Sequence, residues 1–226
     1  MKTYVEQNPG DACLVAASLI ARRLRRAVHD RDRASIAVSG GGTPGPMFDA
    51  LAASDVPWGR VDVFQVDERI APDGDDQRNA NQLTERFLAP AGVPSRRIHL
   101  MPVTASDLRA ACARYAKAVA AIEPFDVVHV GIGDDGHTAS WVPGDPVIDS
   151  ERAVDVSGEY QGTRRMTLTP GVVNAARMRL MLVTEGTKRP AVDAWLRGDR
   201  SLPVSRVRRT NTLVVATAAA LSATWI

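Results

Sequence analysis

The chain has 226 residues, 45% hydrophobic and 24% charged, which is enough for one α/β domain with a buried sheet. Lysine and arginine (28) nearly balance aspartate and glutamate (26), and the net charge of +2 gives no sign of a nucleic-acid-binding surface. Its apolar runs are far shorter than the roughly 18 residues of a membrane span, and its N-terminus lacks the apolar core of a signal peptide. Cys13 and Cys112 do not have the spacing of a metal site. We therefore expect a cytoplasmic protein without disulfides.

Helices and strands are predicted to alternate in the first half of the chain. Apolar side chains at spacings of three and four indicate an amphipathic first helix, with its arginines facing outward. Short apolar or alternating runs indicate strands. The predicted elements are helices over 11–29, 45–53 and 79–89, the last capped by Asn79, and strands over 35–38 and 61–66.

The same alternation continues in the second half. Strands are predicted over 98–101, 125–130, 166–169, 179–184 and 212–216, and helices over 105–122 and 187–197, with a short alanine-rich helix at the end. Residues 143–163, rich in glycine, proline and aspartate, are predicted to form a long irregular loop. This pattern predicts a single α/β domain over 1–226, with a mostly parallel sheet and helices on both faces.

Polar and glycine-rich segments begin where four of the predicted strands end. They start at Ser39, Asp67, Gly131 and Glu185. The carboxyl ends of parallel strands share one edge of a sheet, and ligands bind in the crevice outside that edge. We therefore expect these four segments to converge on one site.

The first of these segments, SGGGT at 39–43, joins a predicted strand to a predicted helix. Glycines let a backbone approach an anion closely, and N–H groups at a helix start point toward it. The segment lacks the lysine of a P-loop and the spacing of a dinucleotide-binding motif. A tight turn without a ligand is the alternative. We predict a monophosphate-binding loop, completed by charge-assisted donors, whose residues are Gly40, Gly41, Gly42, Thr43, Arg165 and Lys188.

The segment GIGDDGHTAS at 131–140 places a histidine in a glycine-rich loop after a buried strand. Asp135, two residues before His137, is placed to orient the imidazole and raise its basicity. The alternatives are a metal site built on Asp134 and Asp135 and a purely structural turn. Because no other histidine is placed to join the two acids, we predict acid–base catalysis by His137 with Asp135, and no metal site.

Asp67, Glu68 and Arg69 follow the strand predicted over 61–66. Three consecutive charges usually form a solvated loop, but their position at the sheet edge favours a functional role. We predict that Asp67 binds sugar hydroxyls. Arg69 is predicted to bind a carbonyl or phosphate oxygen and to stabilise negative charge that develops during catalysis.

The chain resembles 6-phosphogluconolactonases in six segments that occur in the family's order. They are SGGGTP at 39–44, VDVFQVDER at 61–69, Asn79, FDVVHVGIGDDGHTASWVPG at 125–144, RRMTLTP at 164–170 and EGTK at 185–188. The DER and GDDGHTAS motifs together are specific, whereas SGGGTP is shared more widely in the superfamily. Trp141 and Val142 stand where the family usually has leucine or isoleucine followed by phenylalanine, which predicts a packing change.

The resemblance implies a Rossmann-like sheet and a small-molecule sugar phosphate lactone, 6-phosphoglucono-δ-lactone, as the substrate. It implies hydrolysis in the oxidative pentose phosphate pathway without a required cofactor, with His137 in catalysis and with Arg69, Arg165 and Lys188 on the substrate. We expect no nucleic-acid or membrane partner, and a monomer or small homo-oligomer.

Two other functions are compatible with parts of the pattern. In two of these segments, related glucosamine-6-phosphate deaminases have sequences similar to DEY and DGHIAFNEP. This chain has Arg69 in place of the tyrosine, and Val142 and Pro143 in place of the Asn-Glu pair. A non-catalytic sugar-phosphate sensor would need only the phosphate pocket, and this chain keeps His137, Asp135 and Arg69. Both alternatives are therefore less favoured than lactone hydrolysis.

Overall fold

In the computed structural model, which describes residues 1–225, the first half of the chain alternates strands and helices. An asparagine side chain, Asn8, accepts from the backbone N–H of Asp11 and caps the long first helix. The elements are β1 (Lys2–Glu6), α1 (Pro9–Arg31), β2 (Ala34–Val38), α2 (Gly45–Ala52), β3 (Val61–Gln65), β4 (Asp67–Arg69) and α3 (Asn79–Leu83), which a π-helical turn at Thr84–Leu88 continues.

The second half contributes the remaining strands and helices. Its elements are β5 (Ile98–His99), α4 (Leu108–Ala120), β6 (Val127–Val130), β7 (Val154–Val156), β8 (Arg165–Leu168), α5 (Pro170–Ala175), β9 (Arg179–Val183), α6 (Arg189–Arg197) and β10 (Thr212–Thr217). Short 3₁₀ turns precede α6 at Gly186–Lys188 and follow β10 at Ala218–Ala220. The second turn takes the place of the predicted alanine-rich helix.

Seven strands form one parallel sheet in the order β1-β10-β9-β6-β2-β3-β5. Side chains alternate between its two faces, so Ile36 joins a core cluster with α1 and α2 while Ala37 joins the cluster with α4 and α6. The predicted α/β architecture, a mostly parallel sheet with helices on both faces, is confirmed. A second sheet of β4, β8 and β7 is antiparallel.

Three strands, the short helix α5 and one helix start differ from the sequence-based prediction. β1 is an edge strand with no fully buried residue, and its sequence KTYVE has too little apolar alternation to indicate a strand. β4 is the charged segment 67–69, and its first two residues are buried rather than solvated. β7 lies inside the segment predicted to be an irregular loop. Asn79 is not the cap of α3: Arg78 takes the cap position, and Asn79 is the first helical residue.

A packing change relative to the family is predicted at residue 141, and it stays a prediction. Trp141 is fully buried in the core, and its indole N–H donates to the backbone oxygen of Leu168 at 2.8 Å. Among the helices described for residues 1–225, none is long and apolar enough to cross a membrane.

Candidate active site

A cavity of about 350 Å³ opens at the carboxyl edge of the parallel sheet. The loops after β2, β6 and β9 border it, and the second sheet contributes β4 and β8. The structure brings together all ten residues that the sequence nominated. They are Gly40, Gly41, Gly42, Thr43, Asp67, Arg69, Asp135, His137, Arg165 and Lys188.

His137 and Asp135 form a hydrogen-bonded pair on the wall of the cavity. Asp135 Oδ1 lies 2.6 Å from His137 Nδ1 and also accepts from the His137 backbone N–H at 3.1 Å. An ionised carboxylate only accepts, so Nδ1 carries the proton and Nε2 remains as the basic nitrogen. The imidazole is 24% exposed, which keeps it accessible from the cavity.

The pKa of Asp135 is set by opposing influences. Burial raises it, but the hydrogen bonds and charge of His137, together with the phenol of Tyr160, outweigh burial and lower it below the usual range. The carboxylate therefore stays ionised and holds the imidazole in one tautomer. This is the arrangement that a histidine general base requires.

Tyr160 is a functional candidate that the sequence did not reveal. Its hydroxyl donates to Asp135 Oδ2 at 2.9 Å and lies 3.4 Å from His137 Nδ1. It is separated from Asp135 by 25 residues and belongs to the segment predicted to be irregular. The only local signal is a single aromatic residue, two residues before Gly162, in a polar loop.

Asp134 and Asp135 do not form a pair. Asp134 accepts from the hydroxyl of Thr187 at 3.2 Å, whereas Asp135 bonds to His137. Within residues 1–225 no group of three or more histidine, cysteine, aspartate or glutamate side chains has the arrangement of a metal site.

The glycine loop and Lys188 also line the cavity and are linked through Glu185. Thr43 Oγ1 donates to Glu185 Oε1 at 2.7 Å, and Lys188 Nζ lies 2.8 Å from Glu185 Oε2. Burial raises the pKa of Glu185, but these two partners outweigh it and lower the pKa. The charge of Lys188 is therefore partly neutralised within the protein.

The side chain of Gln82 holds the glycine loop through two hydrogen bonds to Gly41. Its amide accepts from the Gly41 N–H at 3.2 Å and donates to the Gly41 carbonyl at 2.7 Å. The N–H of Gly41 is therefore already used within the protein. Gly40 must be glycine, because a Cβ there would lie 2.5 Å from Asn79 Oδ1.

Arg69 and Arg165 are brought side by side by the antiparallel sheet, in which they are direct partners on β4 and β8. Each has a buried Nε without a hydrogen-bond partner among residues 1–225. Burial, reinforced by the charge of Arg69, lowers the pKa of Arg165. Because unpaired buried donors are costly, the pair is suited to an anionic or carbonyl oxygen.

Asp67 and Glu68, although adjacent, have different surroundings. Asp67 lines the cavity and accepts from the hydroxyl of Ser140 at 2.8 Å. Glu68 is fully buried and accepts from the backbone N–H groups of Asn79 and Ala80, each at 2.8 Å. Glu68 thus ties β4 to the start of α3 and carries no site role, which sequence reasoning had not separated from that of its neighbours.

His129 contributes to the inner wall of the cavity. It lies within β6 and is only 2% exposed. Its Nδ1 has no hydrogen-bond partner in the described chain, and its ring meets Phe48 edge-on. Burial lowers its pKa to about 4, so the ring is neutral at ordinary pH.

The chain is similar to known proteins over nearly its whole length. Residues 7–216 match the family model of glucosamine-6-phosphate isomerases/6-phosphogluconolactonase. A 6-phosphogluconolactonase of Nostoc sp. is 34% identical over 85% of this chain and 84% of its own. The crystal structure of 6-phosphogluconolactonase from Thermotoga maritima superposes with a TM-score of 0.87 at 25% identity, covering 96% of this chain and 98% of its own.

A structure of a monomeric glucosamine-6-phosphate deaminase has the same fold. It superposes with a TM-score of 0.87 over the full length of both chains, at 19% identity. At that identity the likeness concerns the fold alone. On the family match and the lactonase relative together, the chain belongs to the family of glucosamine-6-phosphate isomerases and 6-phosphogluconolactonases.

Proposed function

We propose that this protein hydrolyses 6-phosphoglucono-1,5-lactone to 6-phosphogluconate, as in the oxidative pentose phosphate pathway. The observation that carries the proposal is the Asp135-oriented His137 in the same cavity as two arginines with unpaired donors. The imidazole can transfer a proton, and the guanidinium groups can stabilise negative charge on an oxygen atom. The relatives named 6-phosphogluconolactonase support the same reaction.

The reaction needs one proton shuttle. Nε2 of His137 takes a proton from water as the water oxygen bonds to the lactone carbonyl carbon. Negative charge then develops on the carbonyl oxygen, where Arg69 donates. When the bond from that carbon to the ring oxygen breaks, the imidazolium returns the proton to the leaving oxygen.

Substrate binding would use the cationic and glycine-rich groups of the same cavity. The glycine loop, Arg165 and Lys188 supply the positive charge and donors for the 6-phosphate. Asp67, fixed by Ser140, accepts from sugar hydroxyls. Holding the phosphate in this way places the lactone ring against His137 and removes the entropy cost of bringing the reactants together.

Among the described residues, the cavity lacks the glutamate that the deaminase carries in its Asn-Glu pair. The positions where that enzyme has an Asn-Glu pair are Val142, which is buried and outside the cavity lining, and Pro143. Neither side chain can relay a proton between sugar carbons. Asp67 and His137 are titratable groups that the two chemistries would share.

Turnover of the two substrates tests the proposal. Purified protein is mixed with 6-phosphoglucono-1,5-lactone or with glucosamine 6-phosphate, and loss of lactone and release of ammonia are measured. A reaction without protein corrects for spontaneous lactone opening. We expect rapid lactone loss and no ammonia. Ammonia at a comparable rate would indicate the deaminase, and binding of both compounds without turnover would indicate a sensor.

The proposal includes the domain organisation and the cellular compartment of the protein. We infer that residues 1–226 act as one catalytic domain, because the cavity uses residues from Ser39 to Lys188. Cys13 and Cys112 are free, buried thiols, and burial raises the pKa of Cys112 to about 11. Unreactive thiols of this kind are compatible with the reducing cytoplasm.

A further inference from the structure

Tyr160 contacts both the carboxylate that orients the catalytic imidazole and an arginine of the same cavity. Its hydroxyl donates to Asp135 Oδ2 at 2.9 Å, while Asp135 Oδ1 lies 2.6 Å from His137 Nδ1. On its other side, the guanidinium of Arg165 lies 5.0 Å from the centre of the Tyr160 ring, a cation–π contact. One aromatic side chain therefore joins the proton-transferring pair to a residue of the anion pocket.

A tight turn presents Tyr160 to the cavity. Tyr160 and Thr163 are paired at its base, with the Tyr160 N–H donating to Thr163 O at 3.0 Å. The central residues Gln161 and Gly162 have φ values of 52° and 79°, as in a hairpin turn with two left-handed positions. Such backbone is unfavourable for glutamine, and Gln161 uses it to accept from Arg165 Nη2 at 3.3 Å.

The Asp135 carboxylate has two oxygens and is only partly buried, so its orientation is not fixed by packing alone. His137 engages one oxygen through its backbone N–H and its ring. Tyr160 engages the other. Burial and the Asp135 carboxylate raise the pKa of Tyr160, so the phenol keeps its proton and remains a donor. Rotation of the carboxylate would break both contacts at once.

We propose that Tyr160 is a positioning residue that acts through Asp135 to hold the His137 ring in its productive orientation and tautomer. The proposal rests on the proposed function for its kinetic consequence, but the orientation itself does not depend on the substrate. Tyr160 would influence the rate of proton transfer, whereas Arg165 on its other face would influence binding. Removing the hydroxyl alone separates these effects.

The first test is Tyr160→Phe, which removes the hydroxyl and keeps the ring beside Arg165. We expect kcat for lactone hydrolysis to fall about tenfold, because a hydrogen bond to a charged acceptor is lost. The KM should stay within about twofold and the melting temperature should not change. Tyr4→Phe, a partly exposed tyrosine on β1, is the matched control and should leave kcat unchanged. A rise in KM at constant kcat, or an unchanged kcat, overturns the proposal.

A double-mutant cycle shows whether the effect runs through Asp135. In an Asp135→Asn background, Tyr160→Phe should change kcat by less than about twofold, because the residue through which it acts is already altered. A merely structural role of Tyr160 would give the same tenfold loss in both backgrounds. That result would contradict the positioning role.

A spectroscopic measurement separates this proposal from the proposed function. In protein labelled with ¹⁵N-histidine, the His137 ring nitrogens, assigned by comparison with His137→Ala, should show the Nδ1–H tautomer in the wild type. Tyr160→Phe should give a mixture of tautomers, while Tyr4→Phe should not. An unchanged tautomer would overturn the proposal even if the lactone is hydrolysed. A changed tautomer in a protein without lactone turnover would support positioning and reject the proposed reaction.

Discussion

Gly133 and His137 are in such close contact that the absence of a side chain at one determines where the other can lie. The Gly133 N–H donates to the His137 backbone oxygen at 2.8 Å. A Cβ on Gly133 would overlap the His137 imidazole and would lie 2.9 Å from Asp135 Oδ1. Gly133, two residues before Asp135, therefore leaves the space in which the imidazole of His137 and the carboxylate of Asp135 meet.

Replacing Gly133 with alanine should displace the imidazole without unfolding the protein. Because a misplacement of about 1 Å at a catalytic group can cost about 100-fold in rate, we expect kcat for the lactone to fall by about that factor. Circular dichroism should show a native spectrum. Gly59→Ala is the matched control, since nothing lies within 4 Å of a Cβ at Gly59. Full activity of Gly133→Ala would mean that the observed ring position is not the productive one.

Removal of the imidazole should abolish most of the activity. General acid–base assistance is worth about 10²–10⁴ in rate, so His137→Ala should lose kcat by a factor in this range and keep its melting temperature. The control is His29→Ala, an exposed residue in the last turn of α1. After subtraction of spontaneous lactone opening, near-normal turnover by a well-folded His137→Ala protein would reject the mechanism.

The arrangement of the cavity was predictable because it follows from chain direction. In a parallel sheet the segments that follow the strands must share one edge, so residues as distant in sequence as Gly40 and Lys188 can be placed together without knowledge of side-chain contacts. The strands themselves can be recognised from the pattern of apolar residues within a few consecutive positions, so this inference needs no knowledge of distant contacts. The functional roles assigned to these residues stay predictions until they are measured.

Contacts made by polar residues across the fold were not predictable from local pattern. Glu68 and Gln82 have no local signal, yet one ties β4 to α3 and the other holds Gly41. Tyr160 reaches Asp135 only because β7 and β8 form a second sheet beneath the turn that carries it. Short charged or edge strands such as β4 lack an apolar alternation, and pairing with β8 decides their structure.

Phosphate recognition should be separable from catalysis. Lys188→Ala and Arg165→Ala each remove a charged donor, so we expect KM for the phosphorylated lactone to rise about 10- to 100-fold, with a smaller change in kcat. Arg164→Ala is the matched control for Arg165, since this neighbour is exposed and outside the cavity lining. Equal hydrolysis of unphosphorylated gluconolactone by the wild type would contradict the phosphate pocket.

The buried His129 should make the stability of the protein depend on pH. Its pKa is about 4 in the folded protein because of burial, and about 6.5 in an unfolded chain. Between these values the unfolded chain binds a proton that the folded chain does not. The free energy of unfolding therefore falls as pH decreases from about 6.5 to about 4, by up to about 3 kcal/mol from this group.

Urea unfolding of the wild type and of His129→Leu, at about pH 7 and about pH 4.5, measures this contribution. Leucine does not titrate, so the variant should lose about 2 to 3 kcal/mol less stability than the wild type between the two conditions. Carboxylates titrate in both proteins and cancel in the comparison. His29→Leu, an exposed histidine on α1, should retain the pH dependence of the wild type. If His129→Leu has the same pH dependence as the wild type, His129 is not held neutral by burial.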